Sequence, residues 1–138
     1  MADARDGIRA MTHEDLLTAM HSEAFAHASC MLFAATARAD GRIEIADLFE
    51  AVARVGSDDH FARLAAEAGL VGGDADNLRA AIEAASYAVE VMYPSFAEHA
   101  AAAGDTGAAD AFTAARRAGI GHLESFREAL LDVTAGGA

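Results

Sequence analysis

Apolar side chains recur at intervals of three and four along four stretches of the chain, the spacing that lines one face of an α-helix. The first stretch, about 13–38, aligns Leu16, Met20, Glu23, His27, Cys30 and Ala34 in one stripe. A second, 43–68, does the same with Ile45, Phe49, Val52, Gly56, His60 and Leu64. The third opens near Asp76 and Asn77, turns Leu78, Ile82, Ala85, Val89, Met92 and Phe96 inward, and stops before Gly104. In the fourth, about 105–133, Phe112, Ala115, Gly119, His122, Phe126 and Leu130 share a face. Each predicted helix is about 37 Å long.

Capping chemistry places the breaks. Thr12, with Asp15 three residues on, reads as an N-cap with an acidic variant of the capping box. Asp40 and Gly41 both tolerate the left-handed conformation that closes a helix, and Asp76 and Asn77 are good N-caps. The longest glycine-bearing connection is 69–74, Gly-Leu-Val-Gly-Gly-Asp, which suits a passage from one hairpin to the next. Pro94 removes a backbone hydrogen bond, yet helical spacing continues on both sides of it, so a kink is expected there. Short links make the first pair and the second pair antiparallel neighbours. The expected fold class is therefore all-α, an antiparallel four-helix bundle over 13–134 with a crossover between helices two and three. Residues 1–12 read as a flexible leader, and the tail at 134–138 is expected to fray.

Composition narrows the functional classes. A chain of 138 residues with 54% apolar side chains, one Pro and no Trp suits one compact helical domain. The formal net charge is −12, from 22 acidic and 10 basic residues, and no basic run exists to follow a phosphate backbone, so nucleic acid is not an expected partner. No stretch approaches the ~20 consecutive apolar residues of a membrane span. The opening residues lack the cationic and apolar segments of a secretion signal, and a cytoplasmic location is expected. Cys30 is alone, so no intrachain disulfide forms and no paired-cysteine metal site is available; the plain reading is a small buried hydrophobe.

The third helix contains Tyr87, Ala88, Val89, Glu90, Val91, Met92, Tyr93, Pro94, Ser95, Phe96 and Ala97 in succession. This run resembles the rubrerythrin signature, in which Met-Tyr-Pro-x-Phe-Ala follows two iron-ligand glutamates. The resemblance extends to Ser22, Glu23 and Ala24 in helix one, to 45–50 and His60 in helix two, and to His122 and Phe126 in helix four, and spans about 14–133. It implies a ferritin-like bundle with a di-iron site: one glutamate from helix one, Glu-x-x-His from helix two, two glutamates from helix three and Glu-x-x-His from helix four. Carried over by position, Glu23, His60 and His122 match. Ser57, Ala85, Ala88 and Gly119 stand where carboxylates are expected.

One carboxylate offsets little of the charge of two irons in a dry interior, so a pair of irons is not expected. Two imidazoles and one carboxylate are instead a recognised set for a single iron, zinc or manganese ion, and Glu23, His60 and His122 are the expected metal ligands. His27 and Cys30, one and two turns from Glu23, are further donor candidates, although His27 also suits a place between helices. Asp58 and Asp59 replace the missing helix-two glutamate only if the helix is locally overwound; otherwise they form a solvated face. The four small replacements predict a hollow at mid-bundle, and Gly119 and Gly121 within a helix predict close approach of another group. That group is a neighbouring helix or a cofactor, with a haem between His60 and His122 as one candidate. Arg116 and Arg117 read as a surface pair. The alternatives to a single-metal or small-ligand site are a peroxide-reducing or ferroxidase-type oxidoreductase using an external electron donor, and a non-catalytic scaffold. The resemblance also implies a homodimer.

Overall fold

In the computed structural model, which describes residues 10–136, every regular element is helical. The elements are α1 (Ala10–Ala39), α2 (Ile43–Val55), a π-helical turn (Gly56–Phe61), α3 (Ala62–Glu67), α4 (Asp74–Tyr87), a second π-helical turn (Ala88–Met92), α5 (Tyr93–Ala102) and α6 (Thr106–Gly136). Since α2 runs through its π turn into α3, and α4 likewise into α5, these are the four predicted helical arms. They form two hairpins, one ending at Val71 and the other starting at Gly72.

The helix ends differ from expectation in three places. Thr12 lies inside α1, not at its N-cap, so residues 10–12 are helix rather than leader; residues 1–9 lie outside the described part. Helix α4 begins at Asp74, and Asn77 reaches backwards instead: its Oδ1 accepts from the Gly72 amide at 2.8 Å and its Nδ2 donates to the Gly72 carbonyl at 3.0 Å. Helix α6 continues through Thr134, whose hydroxyl donates to the Leu130 carbonyl at 2.8 Å. The stop at Gly41 is as expected. Its φ of 75° lets the Arg42 amide fold back onto the Ala37 carbonyl at 2.8 Å, and the ends at Gly69 and Gly104 repeat the device.

Small side chains bring the arms of the first hairpin together. Ala34 and Ala37 on α1 and Ala46, Ala53 and Ala65 on the opposite arm are buried, with Met20 as the one large buried side chain among the described residues of this hairpin. The Phe33 and Phe49 rings meet at 5.4 Å. In the second hairpin Val89 and Leu123 are buried, and the Phe112 ring lies 5.5 Å from Phe96 and 6.5 Å from Tyr93.

Both π turns are departures from the uniform helices predicted. In the first hairpin Ala53, Ser57, Phe61 and Ala65 are sheltered at intervals of four, alongside Gly56 and Leu64. A regular helix drifts about 40° at each such step, and a wide turn removes the drift. In the second, Pro94 has no N–H to offer the carbonyl four residues back, and the wide turn immediately precedes it. The proline itself occupies the first turn of α5, where a missing donor costs nothing.

Candidate metal centre

The first π turn determines what α1 sees. By widening the arm beside Glu23, it places His60 Nδ1 3.7 Å from Glu23 Oε1. That separation is too long for a hydrogen bond. Two ligands on one ion, at about 2.1 Å each, are separated by about 3.0–3.4 Å, so closure by a few tenths of an ångström gives a shared metal. Glu23 is half-buried, while the His60 side chain is 55% exposed, so the imidazole retains access to water.

Gly56 makes room for the carboxylate. A Cβ at that position would lie 3.3 Å from Glu23 Oε2. Beside the pair runs an open groove of about 500 Å³, lined by Ala26, His27, Cys30, Val52 and Gly56 as well as by Glu23 and His60. None of the four small replacements lines this groove. Ser57 lines a second groove with Glu23, His27 and Phe61.

His27 takes the place between helices: its Nδ1 is 2.8 Å from the Ala53 carbonyl. A carbonyl only accepts, so Nδ1 is the donor. Cys30 is half-buried on the groove wall and free. The aspartates go elsewhere. Asp59 pairs with Arg63 at 2.6 Å, and Asp58 lines a separate groove with His27, Met31, Glu50 and Arg54. The helix is underwound at this point, the opposite of the change that would have brought them to Glu23.

His122 is exposed on α6 in the second hairpin, one residue before the buried Leu123, which holds the seam position expected for the histidine. At Gly119 the group in close approach is the neighbouring arm: a Cβ there would meet Val89 Cγ2 at 2.9 Å. Within its own hairpin a Cβ at Gly121 would meet nothing within 4 Å. Arg116 is not a plain surface residue, since its Nε donates to the Val89 carbonyl at 2.9 Å, inside the second π turn. Sequence reasoning missed both wide turns.

Among the described residues no three His, Cys, Asp or Glu side chains surround one point closely enough to hold an ion. The assembled part is the pair Glu23–His60. No described helix is long and apolar enough to cross a membrane. The family model described as Rubrerythrin matches residues 14–130. No curated protein matches the chain.

Proposed function

Because a match over most of its length makes this chain a member of the rubrerythrin family, with that family's all-α four-helix ferritin-like fold, we propose that it binds a single divalent metal ion through Glu23, His60 and His122. The observation that carries the reading is the 3.7 Å approach of Glu23 Oε1 to His60 Nδ1, unbridged by any hydrogen bond. His122 enters as third ligand by its family position. The set supplies one negative charge and two neutral nitrogens, which leaves an M²⁺ ion with a net +1, whereas two irons would keep most of their charge uncompensated. Ser57, Ala85, Ala88 and Gly119, at the positions of the family's other carboxylates, bring no charge to offset a second ion.

Three protein ligands leave positions open for water or a small anion, the chemistry such an ion supplies when bound. Glu23 would supply the anionic donor, with Gly56 leaving room beside its carboxylate. His60 would supply a neutral nitrogen, Nδ1 being the one that faces Glu23, while the rest of the ring stays open to water. His27 holds the arm beside the site through its bond to the Ala53 carbonyl.

The test is elemental analysis of protein purified without chelator, then equilibrated with Fe²⁺, Zn²⁺ or Mn²⁺ in turn. One ion per chain is expected, and Glu23→Ala, His60→Ala and His122→Ala are each expected to lower retention at least tenfold with the helical circular dichroism unchanged. Two irons per chain, or retention indifferent to all three substitutions, overturns the reading. An absorption band of haem type would replace the metal with a porphyrin.

A further inference from the structure

Among the described residues only two side chains donate to a backbone carbonyl on the facing arm of their hairpin: His27 Nδ1 to Ala53 at 2.8 Å, and Arg116 Nε to Val89 at 2.9 Å. Each lands at a π turn. Val89 lies inside the second, Ala88–Met92, and Ala53 stands three residues before the first, Gly56–Phe61. A helical carbonyl ordinarily accepts from the amide four residues on. A side-chain donor on the same oxygen competes with that amide, and insertion of this kind is one of the few ways in which a helix opens its own ladder. The Ala53 oxygen is crowded in this way, since the Gly56 amide, only three residues on, also points at it. Gly56 and Ser57 weaken the helix here and let it open. What fixes it open is the imidazole.

We propose that His27 is a positioning residue of the site: its Nδ1–H, wedged against the Ala53 carbonyl, holds the first π turn open and so sets where His60 stands relative to Glu23. Its part in ion binding rests on the single-metal reading above. Glu23 and His27 are one turn apart on α1, while Ala53 and His60 lie on the other arm at either side of the opening of the turn, so the wedge and the pair join the same two elements. Regular spacing from Ala53 turns Gly56, His60 and Leu64 towards α1. With the wide turn Phe61 and Ala65 are sheltered there as well, and His60 stands at the edge of the seam, its Nδ1 3.7 Å from Glu23 Oε1. Closing the turn rotates the arm beyond it by up to about 100°, which moves the imidazole by several ångström against a carboxylate fixed on α1.

Nuclear magnetic resonance of the metal-free full chain at mildly alkaline pH, with Zn²⁺ titration calorimetry, tests the proposal. In the wild type His27 is expected to carry its proton on Nδ1, protected from exchange, and cross-peaks are expected between the His60 ring and the Glu23 side chain. His27→Met fills similar space without a donor. It is expected to lose those cross-peaks and to bind Zn²⁺ about 10- to 100-fold more weakly, with the helical circular dichroism retained. His27→Asn puts an amide nitrogen where Nδ1 stands, and is expected to restore the cross-peaks and an affinity within about threefold of the wild type. An asparagine variant as poor as the methionine one means that packing rather than donation matters, and overturns the proposal. So do cross-peaks and affinity that survive His27→Met, which leave Gly56 and Ser57 as the cause of the turn. Where His27→Met does not fold, the wild type and His27→Asn decide: a proton on Nε2 of His27, or cross-peaks lost in His27→Asn, overturns the proposal, and a protected Nδ1 proton with the cross-peaks kept in His27→Asn supports it. A wild type that shows the cross-peaks yet binds no Zn²⁺ sinks the single-metal reading alone, because the approach of His60 to Glu23 is read without metal.

Discussion

Gly119 and Gly121 stand two residues apart on α6 and pay the same conformational cost, yet their surroundings differ. Alanine at 121 meets nothing within 4 Å and removes a flexible residue from a helix interior. Gly121→Ala is therefore expected to stabilise the protein by up to about 1 kcal/mol. At 119 the same methyl would sit 2.9 Å from Val89 Cγ2, on a side chain that is buried and cannot retreat freely. Overpacking of this kind costs about 1–3 kcal/mol, which outweighs the helix-propensity gain, so Gly119→Ala is expected to destabilise. Urea titrations of the two variants should move the midpoint in opposite directions. The sequence shows two glycines in a helix and predicts close approach at both. It cannot separate them, because which face of α6 meets the neighbouring arm depends on the seam position taken by Leu123.

Among the elements, the four helical arms and the loops between them were legible from the period of apolar residues and from Gly41, Gly69 and Gly104. The two π turns were not, since one extra residue per turn leaves composition and approximate period unchanged. Their effect on the site is large. Within the first turn, His60 reaches Glu23, while Asp58 and Asp59 swing away from it. The second turn is held by an arginine that the sequence marked only as one of a surface pair: Arg116 donates to the Val89 carbonyl at 2.9 Å. Removal of that donor leaves a part-buried carbonyl with a lost partner, at a cost of about 1 kcal/mol. Arg116→Met is expected to lower the melting temperature by a few degrees and to speed hydrogen exchange in 88–92, while Arg117→Met leaves both unchanged. Equal behaviour of the two arginines would mean that the π turn holds itself open.

Across the molecule the same limit applies to each hairpin taken alone. Among its described residues the first buries five alanines and Met20 but leaves Phe25, Phe33, Leu48 and Val52 more than half exposed. The second buries Val89 and Leu123 and leaves Tyr87, Val91 and Leu131 more than half exposed. Ordering a residue costs about 1–2 kcal/mol in backbone entropy, and alanine returns little apolar area in exchange. A hairpin of this size with so few large side chains buried therefore lacks the core to stand alone, and segments of this length are marginal even with a good one. Helix in either half depends on the rest of the four-helix fold. Fragments cut at the 71–72 bond are thus expected to show weak, non-cooperative helical circular dichroism separately at micromolar concentration, and to recover a cooperative melt when mixed in equal amounts. If 1–71 alone melts cooperatively while monomeric by sedimentation, its alanine seam is a sufficient core, and the exposed phenylalanines belong to binding rather than to folding.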